Sequence, residues 1–499
     1  MAGGPRPASP EDPVVDRASP EDPVIDRASP EDPVIDRASP EDPVVDRASP
    51  EDMVSLASAR TSTPLQVGAV LRIDGGADPR AVADALRERI PGIARLRQRL
   101  VRTPPGCGRP VWVDDAAFRF ERHVRTADLD HDVAVLLGDD GTAGDREAAS
   151  SEDRLLALAA TTVTLPLHEG APLWRAVIVV EHGRATAVVV AFHHVLTDGI
   201  GGLAVLAGLA DGSTAPPPAG WPRPAPGPAT LAADAWRARW GGLRRLPASA
   251  RRVAAAARAL RPTARPVAPS SLNRPTGPHR RLAVVRRPLE PLHRAAHGRG
   301  ATVNDAVLVA IAGALRAAMR RRGEDIGSFV VSVPVAGRSR TDASDLGNHV
   351  GVVPVAVPAT GTLADRLTEV HRRTAAVRGP DRGASAALVG PAFRALGRVG
   401  LLGTLMEHQR VVHTFSTDLR GPQEPLRFVG RPIGEVIGIA MAVGNVTVSF
   451  TAVSYAGGLA LTVVADAEAW PDLPVLASAL GAELDALSRA DGSGTTPGT

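Results

Sequence analysis

Phe192-His193-His194-Val195-Leu196-Thr197-Asp198-Gly199 lies where one sequence pattern gives way to another. Upstream, residues 173–180 and 185–192 are β-branched and small apolar runs joined by Glu181-His182-Gly183-Arg184, which predicts a β-hairpin. Downstream, residues 199–210 read as a short apolar helix. Neighbouring strand residues point to opposite faces, so His193 and His194 do not share one cavity, which disfavours a metal site using both. The arrangement suits one imidazole in a channel and one in the core. An imidazole of reference pKa about 6.5 is mostly neutral at pH 7 and can take a proton from a hydroxyl. Asp198 can turn back to orient the loop or pair with an arginine, and Gly199 permits a tight exit into the helix. Two adjacent histidines at a strand end also have an ordinary structural reading. Gly199-Ile-Gly201-Gly-Leu-Ala204 imitates a dinucleotide fingerprint, but a proline-rich run follows where that motif needs a second strand and an acid.

Further along, 215–228 is so rich in proline that it can only be a stiff linker, followed by an arginine-rich helical stretch over 231–260 and more proline to 278. Asn304 is the expected N-cap of a helix with Asp305 in its first turn, ending near Arg320-Arg321-Arg322 before Gly323. Residues 446–455 and 459–465 flank Gly457-Gly458 as a second hairpin. Alternating strands and helices on both sides of the linker predict a two-domain α/β sandwich with a site between the domains.

The chain of 499 residues opens with Ala-Ser-Pro-Glu-Asp-Pro-Val-Val/Ile-Asp-Arg, filling 8–47 four times before a fifth copy diverges at Met53. Two prolines and three acids to one arginine in each copy predict an extended tail, read as a duplication of the domain's own first residues. The predicted organisation is therefore 1–48 repeats, 49–214 first domain, 215–278 linker with an amphipathic helix, 279–488 second domain and 489–499 tail. All 57 basic residues are arginine, which excludes a lysine-dependent phosphate loop and Schiff-base chemistry. Cys107 is the one cysteine, so neither an intrachain disulfide nor a cysteine zinc site is available. No apolar leader and no run of about eighteen apolar residues is visible. The expectation is a cytoplasmic protein, peripheral to the inner membrane or lipid droplets if it meets a membrane.

His-His-x-x-x-Asp-Gly at a strand end resembles the motif of the CoA-dependent acyltransferase superfamily. Further stretches narrow the resemblance to the bacterial wax ester synthase/diacylglycerol acyltransferase family. They are Ser49-Pro-Glu-Asp-Met-Val-Ser-Leu56, Arg97-Gln-Arg99-Leu100, Arg109-Pro-Val-Trp112-Val-Asp-Asp115 and Pro172-Leu173-Trp174. In the second half come Asn304-Asp305, Pro334-Val335 with Arg338, and Gly347-Asn348. The resemblance covers about 49–488. It implies two chloramphenicol-acetyltransferase-like α/β domains with a tunnel at their interface, acyl-CoA entering from one side and an acceptor alcohol from the other. It implies His194 as the base that deprotonates the alcohol for direct attack on the thioester, His193 beside it, and Asp198 as a structural residue holding the loop. Arg338 is assigned as an ionic partner. No Gly-x-Ser-x-Gly elbow is present, consistent with transfer without an acyl-enzyme. The acceptor is diacylglycerol or a fatty alcohol, no cofactor or metal is expected, and acyl-CoA is a substrate.

One motif departs from the family. Asn-Val-x-Gly-Pro is here Asp418-Leu419-Arg420-Gly421-Pro422, keeping the Gly421-Pro422 turn but replacing the amide. Pro172-Leu173-Trp174 and Asn304-Asp305 have architectural readings as well, as a strand start with a core anchor and as a helix cap. The same fold with a carrier-protein donor, as in condensation domains, and a lipid-binding homologue without turnover are the alternatives. Trp236, Trp240 and Leu243 share a face of an arginine-rich helix that would lie either on a membrane or lipid-droplet surface or, as a solvated inter-domain helix, against the body. Nucleic acid is not expected, because no recognisable module accompanies the charge.

Overall fold

The structure is a computed structural model that describes residues 45–49, 52–53, 55–56, 65–131, 150–168, 170–213, 220–244, 266–336, 350–377 and 401–489. The strands are β1 (Gln66–Ala77), β2 (Gln98–Val101), β3 (Val111–Asp114), β4 (Val124–Asp128), β5 (Trp174–Glu181), β6 (Arg184–His193) and β7 (Arg280–Pro288). They continue as β8 (Ser328–Ala336), β9 (Val350–Pro358), β10 (Thr414–Arg420), β11 (Arg427–Phe428), β12 (Arg431–Ile439), β13 (Val448–Tyr455) and β14 (Gly458–Asp466). The helices are α1 (Pro79–Arg89), α2 (Ser151–Thr164), α3 (Gly199–Leu209), α4 (Pro228–Arg244), α5 (Leu289–His297), α6 (Val303–Arg321), α7 (Leu363–Val377), α8 (Leu402–Glu407) and α9 (Leu473–Arg489).

Both expected hairpins form, and for the same reason. Each turn needs two consecutive residues at positive φ, and His182-Gly183 and Ala456-Gly457 supply them, the second one residue before the expected Gly457-Gly458, matching the right-handed twist of the flanking strands. The strands build two six-stranded sheets ordered β11-β12-β1-β6-β5-β4 and β7-β14-β13-β10-β8-β9, plus the small β2-β3 pair. The first sheet takes two strands from the C-terminal half of the chain. β12 pairs antiparallel with β1 from Gly68↔Ile439 to Ile73↔Ile433, so sheet membership does not follow the order of the sequence.

That crossover brings the two sheets together. A Cβ on Gly438 of β12 would lie 2.7 Å from Thr451 Cγ2 and 2.8 Å from Val453 Cγ2 of β13, so only glycine allows the strands to pack this closely. Arg286 of β7 joins Glu152 of α2 and Glu435 of β12, each at 2.5 Å, and Glu152 also takes Arg72 of β1. This half-exposed network fixes orientation more than it adds stability.

α6 is buried along almost its whole length beneath the second sheet, within a cluster that includes Leu308, Ile311, Leu315, Phe329, Phe450 and Leu480. Its N-cap is Thr302 rather than the expected Asn304. Thr302 accepts from the Asp305 N–H at 3.3 Å, and the Asp305 carboxylate accepts from the Thr302 N–H at 2.9 Å. This reciprocal capping box satisfies two orphan donors at once, which outweighs the single cap that asparagine offers.

Residues 45–48, placed in the tail by the sequence reading, are part of the folded body. Arg47 pairs with Asp234 at 2.5 Å and donates to the carbonyls of Cys107, Arg109 and Leu231. Asp46 pairs with Arg95, and Ala48 is fully buried. The preceding copies of the repeat lie outside the described residues.

Candidate active site

β6 ends inside the first sheet, held on both sides. The His193 N–H donates to Leu173 O at 2.9 Å and the His194 N–H to Leu65 O at 3.0 Å, so consecutive amides reach the strands on either flank. The Leu196 N–H then donates to His193 O at 2.8 Å, closing the turn. Asp198, in extended conformation, caps α3 by accepting from the Gly201 N–H at 2.8 Å. With Thr197 and Asp198 both buried, the whole loop is fixed from strand end to helix start.

The two imidazoles differ in what they can do. His193 Nδ1 accepts from the Val195 N–H at 3.0 Å, so in the neutral ring the proton sits on Nε2. Burial, with His194 as a like-charged neighbour, pushes the His193 pKa down to about 4. His193 is thus committed to the turn and stays neutral. His194 is also held below the ordinary histidine value by burial, with its own main chain and the Asp198 carboxylate pulling the other way. Its Nδ1 is sealed from solvent without a hydrogen bond, although the residue as a whole is only half-buried.

Gly199 and the second half of the chain meet directly. A Cβ at Gly199 would fall 2.6 Å from Leu419 Cδ2, so the start of α3 rests on β10 within the Asp418–Pro422 motif. That motif is pinned in turn to β13 and the turn after it: the Gly421 N–H donates to Ser454 O at 2.8 Å and the Ala456 N–H to Pro422 O at 3.0 Å. Leu419 pairs in register with Val453, which lines a cleft of about 560 Å³ between β12 and the β13–β14 hairpin. Gly434, Val436, Tyr455 and Leu459 complete its main walls. The cleft and the histidine loop therefore meet through two adjacent side chains.

Pro172-Leu173-Trp174 supports the loop from below. The Leu173 carbonyl holds His193, and the buried Trp174 indole N–H donates to Leu96 O at 2.7 Å. Trp174 stacks on His123 at 4.7 Å between ring centres, and His123 stacks on Phe118 at 5.2 Å. His123 was not read from the sequence. A lone histidine before a short strand carries no signal, and its role appears only when Trp174 arrives from 51 residues away.

Other expected site residues lie elsewhere. Asp305 is fully buried but serves the helical layer of the second sheet. Its carboxylate accepts from His371 Nδ1 at 2.9 Å and Thr374 Oγ1 at 2.6 Å, tying α6 to α7. Asn304 sits beside it in the first turn of α6. Arg338, Gly347 and Asn348 lie outside the described residues. Asp130, just after β4, and Glu181 and His182 of the β5–β6 turn bring potential metal ligand atoms within 4.8 Å of one another, at the opposite end of β6 from His193.

Residues 48–132 and 147–307 match the model of the wax ester synthase/diacylglycerol acyltransferase catalytic domain, and 346–488 match that of the WS/DGAT C-terminal domain, together well over half of the chain. A probable diacylglycerol O-acyltransferase of Mycobacterium tuberculosis is 29% identical over 450 residues, spanning 85% of this chain and 91% of its own. A wax ester synthase/diacylglycerol acyltransferase structure from Marinobacter aquaeolei superposes with a TM-score of 0.60 at 20% identity, covering 89% of this chain and all of that one. The first condensation domain of the calcium-dependent antibiotic synthetase superposes at 0.57, also at 20% identity, over 90% and 97% of the two chains. At such identities the structural likeness speaks to the fold.

Proposed function

Since the chain belongs to the wax ester synthase/diacylglycerol acyltransferase family, we propose that His194 is the base of an acyl transfer from acyl-CoA to diacylglycerol or a fatty alcohol. The chain is an acyltransferase, and its products are then triacylglycerol or wax ester. The observation that carries the role of His194 is a neutral imidazole on a turn clamped by both flanking strands, with one ring nitrogen sealed inside the protein. A substrate reaches the other nitrogen, Nε2. Nε2 takes the hydroxyl proton as the alcohol oxygen forms its bond to the thioester carbon. The tetrahedral intermediate collapses with cleavage of the C–S bond, and the imidazolium returns its proton to the departing CoA thiolate. A base so placed contributes about 10²–10⁴ in rate. His193, fixed to the Val195 N–H, stays outside the proton transfer and holds the turn.

The test offers diacylglycerol and a long-chain alcohol in parallel with palmitoyl-CoA, following thiol release and ester. Ester from either acceptor is expected, and the faster one names the physiological class. Properly folded protein yielding neither would sink the reading.

The membrane assignment rests on α4. Leu231 is buried against Cys107, Val111 and Val113 and Ala235 is buried on the same helix, whereas Trp236 and Trp240 are 59% and 53% exposed and meet edge to face at 5.9 Å. The tryptophans do not pack on the body as a solvated inter-domain helix would require. Arg237 and Arg239 stand beside them, an arrangement suited to an anionic lipid surface. Among the described residues no helix is long and apolar enough to cross a membrane, so this contact is with the interface. Trp236→Ser with Trp240→Ser is expected to weaken binding to vesicles containing phosphatidylglycerol by about tenfold, measured by cosedimentation. Unchanged binding would remove α4 from the contact.

A further inference from the structure

Arg97 closes the short 3₁₀ turn Ala94–Arg97 and is 1% exposed, yet Nε, Nη1 and Nη2 are all buried without a hydrogen-bond acceptor. Its natural counter-ion is already taken. Asp114 accepts from the Arg223 backbone N–H at 2.9 Å, from Arg223 Nε at 3.0 Å and Nη2 at 2.9 Å, and from Gln98 Nε2 at 3.1 Å. Two guanidinium groups thus face one carboxylate, and the surplus charge is the more buried one. The Trp221 ring covers it, 4.3 Å from the guanidinium carbon, and the indole Nε1 is itself buried without a partner. Arg89, Arg280 and Arg322, by contrast, each have a carboxylate. A buried cation with its donors unmatched is costly, and a buried polar group of this kind is normally completed by a partner.

We propose that Arg97 is the centre of a buried anion site, covered by Trp221, that takes a phosphate of the acyl-CoA donor. The proposal rests on the acyl-CoA reading above and names the part of the protein that would hold the non-acyl end of that substrate. A guanidinium fork matches phosphate oxygens two at a time. In a chain without lysine, cationic contacts to phosphate fall to arginine or a protonated histidine. The position is also right: Leu96, next to Arg97, accepts the Trp174 indole, and Leu173, next to Trp174, holds His193. Arg97 therefore stands at the histidine end of the first sheet. Burial lowers its pKa, with Asp114 opposing, so the surplus charge is already disfavoured and an anion relieves it.

The experiment is thermal unfolding of wild type and Arg97→Met at fixed ionic strength, each alone, with inorganic phosphate and with CoA. Without ligand the variant is expected to be at least as stable as wild type, because an uncompensated buried charge has been removed. CoA should raise the wild-type midpoint and move that of the variant clearly less. With palmitoyl-CoA the variant's KM should rise about tenfold, while S-palmitoyl-pantetheine, which carries no phosphate, should show equal KM values for both proteins. An unfolded or clearly less stable variant would make Arg97 structural and overturn the proposal. So would a CoA shift as large in the variant as in wild type, or a response to inorganic phosphate with none to CoA. If wild type transfers no acyl group at all, the functional reading fails while the CoA shift still reports on the site.

Discussion

His194→Ala is expected to lower kcat/KM for acyl transfer by about 10²–10⁴ while leaving the fold intact. The side chain makes no hydrogen bond that supports the turn; the loop is held instead by main-chain contacts of His193 and His194 and by the Asp198 cap. Alanine removes the base and leaves those contacts standing. Circular dichroism and an unchanged unfolding midpoint would verify the fold, and a coupled thiol assay would give the rate. The pH profile supplies a second reading. Burial holds the His194 pKa below the ordinary value of about 6.5, so the base is neutral and active throughout the neutral range. Activity should fall only as pH drops through that lowered value, and a limb at or above 6.5 would contradict the assignment. A variant retaining more than about a tenth of wild-type activity would likewise exclude His194 as the base.

Trp174→Ala is expected to cost about 3–5 kcal/mol of stability, the range for truncating a buried large aromatic. Trp174 is 3% exposed, donates to Leu96 O and stacks on His123, so the substitution opens a void, strands a buried carbonyl and frees the imidazole ring. Such a loss is a large share of a typical domain's stability. Urea unfolding with an unchanged slope would measure it. Trp174→Phe keeps a ring in the stack and loses only the indole donor, so it should cost about 1–3 kcal/mol. A loss below about 1 kcal/mol for the alanine variant would mean that the stack does not bear on the fold.

What the sequence conveyed was what local chemistry decides. The β5–β6 and β13–β14 hairpins were legible because paired positive-φ turns need particular residues, and α3 from its apolar run, whereas the role of Asp198 as its cap appeared only in the structure. The cap of α6 was misplaced by two residues because Thr302 and Asp305 act as a pair, and a rule applied to single residues favours Asn304. The face of α4 that carries Trp236 and Trp240 was identified, but whether it turned toward the body or solvent depended on where Leu231 and Ala235 docked. The entry of β12 into the first sheet had no local sign at all. Its evidence is Gly438, whose missing side chain has meaning only against Thr451 and Val453. His123 was hidden for the same reason, its partner lying 51 residues away, and Arg97, legible within a family motif, gave no sign of its cover by Trp221, well over a hundred residues on.

The docked Asp46-Arg47-Ala48 segment has a consequence for the repeats ahead of it. Each copy ends in Asp-Arg and is followed by Ala-Ser-Pro-Glu-Asp, so the octapeptide 45–52 recurs at 15–22 unchanged, and at 25–32 and 35–42 with isoleucine in place of its one valine. Replication slippage that adds or deletes whole units therefore always leaves an equivalent anchor in front of Met53. Selection on the enzyme can hold Arg47 against Asp234 and still be blind to copy number. Array length is then free to drift between lineages, while an insertion between Arg47 and Met53 would shift the anchor relative to the body it docks on.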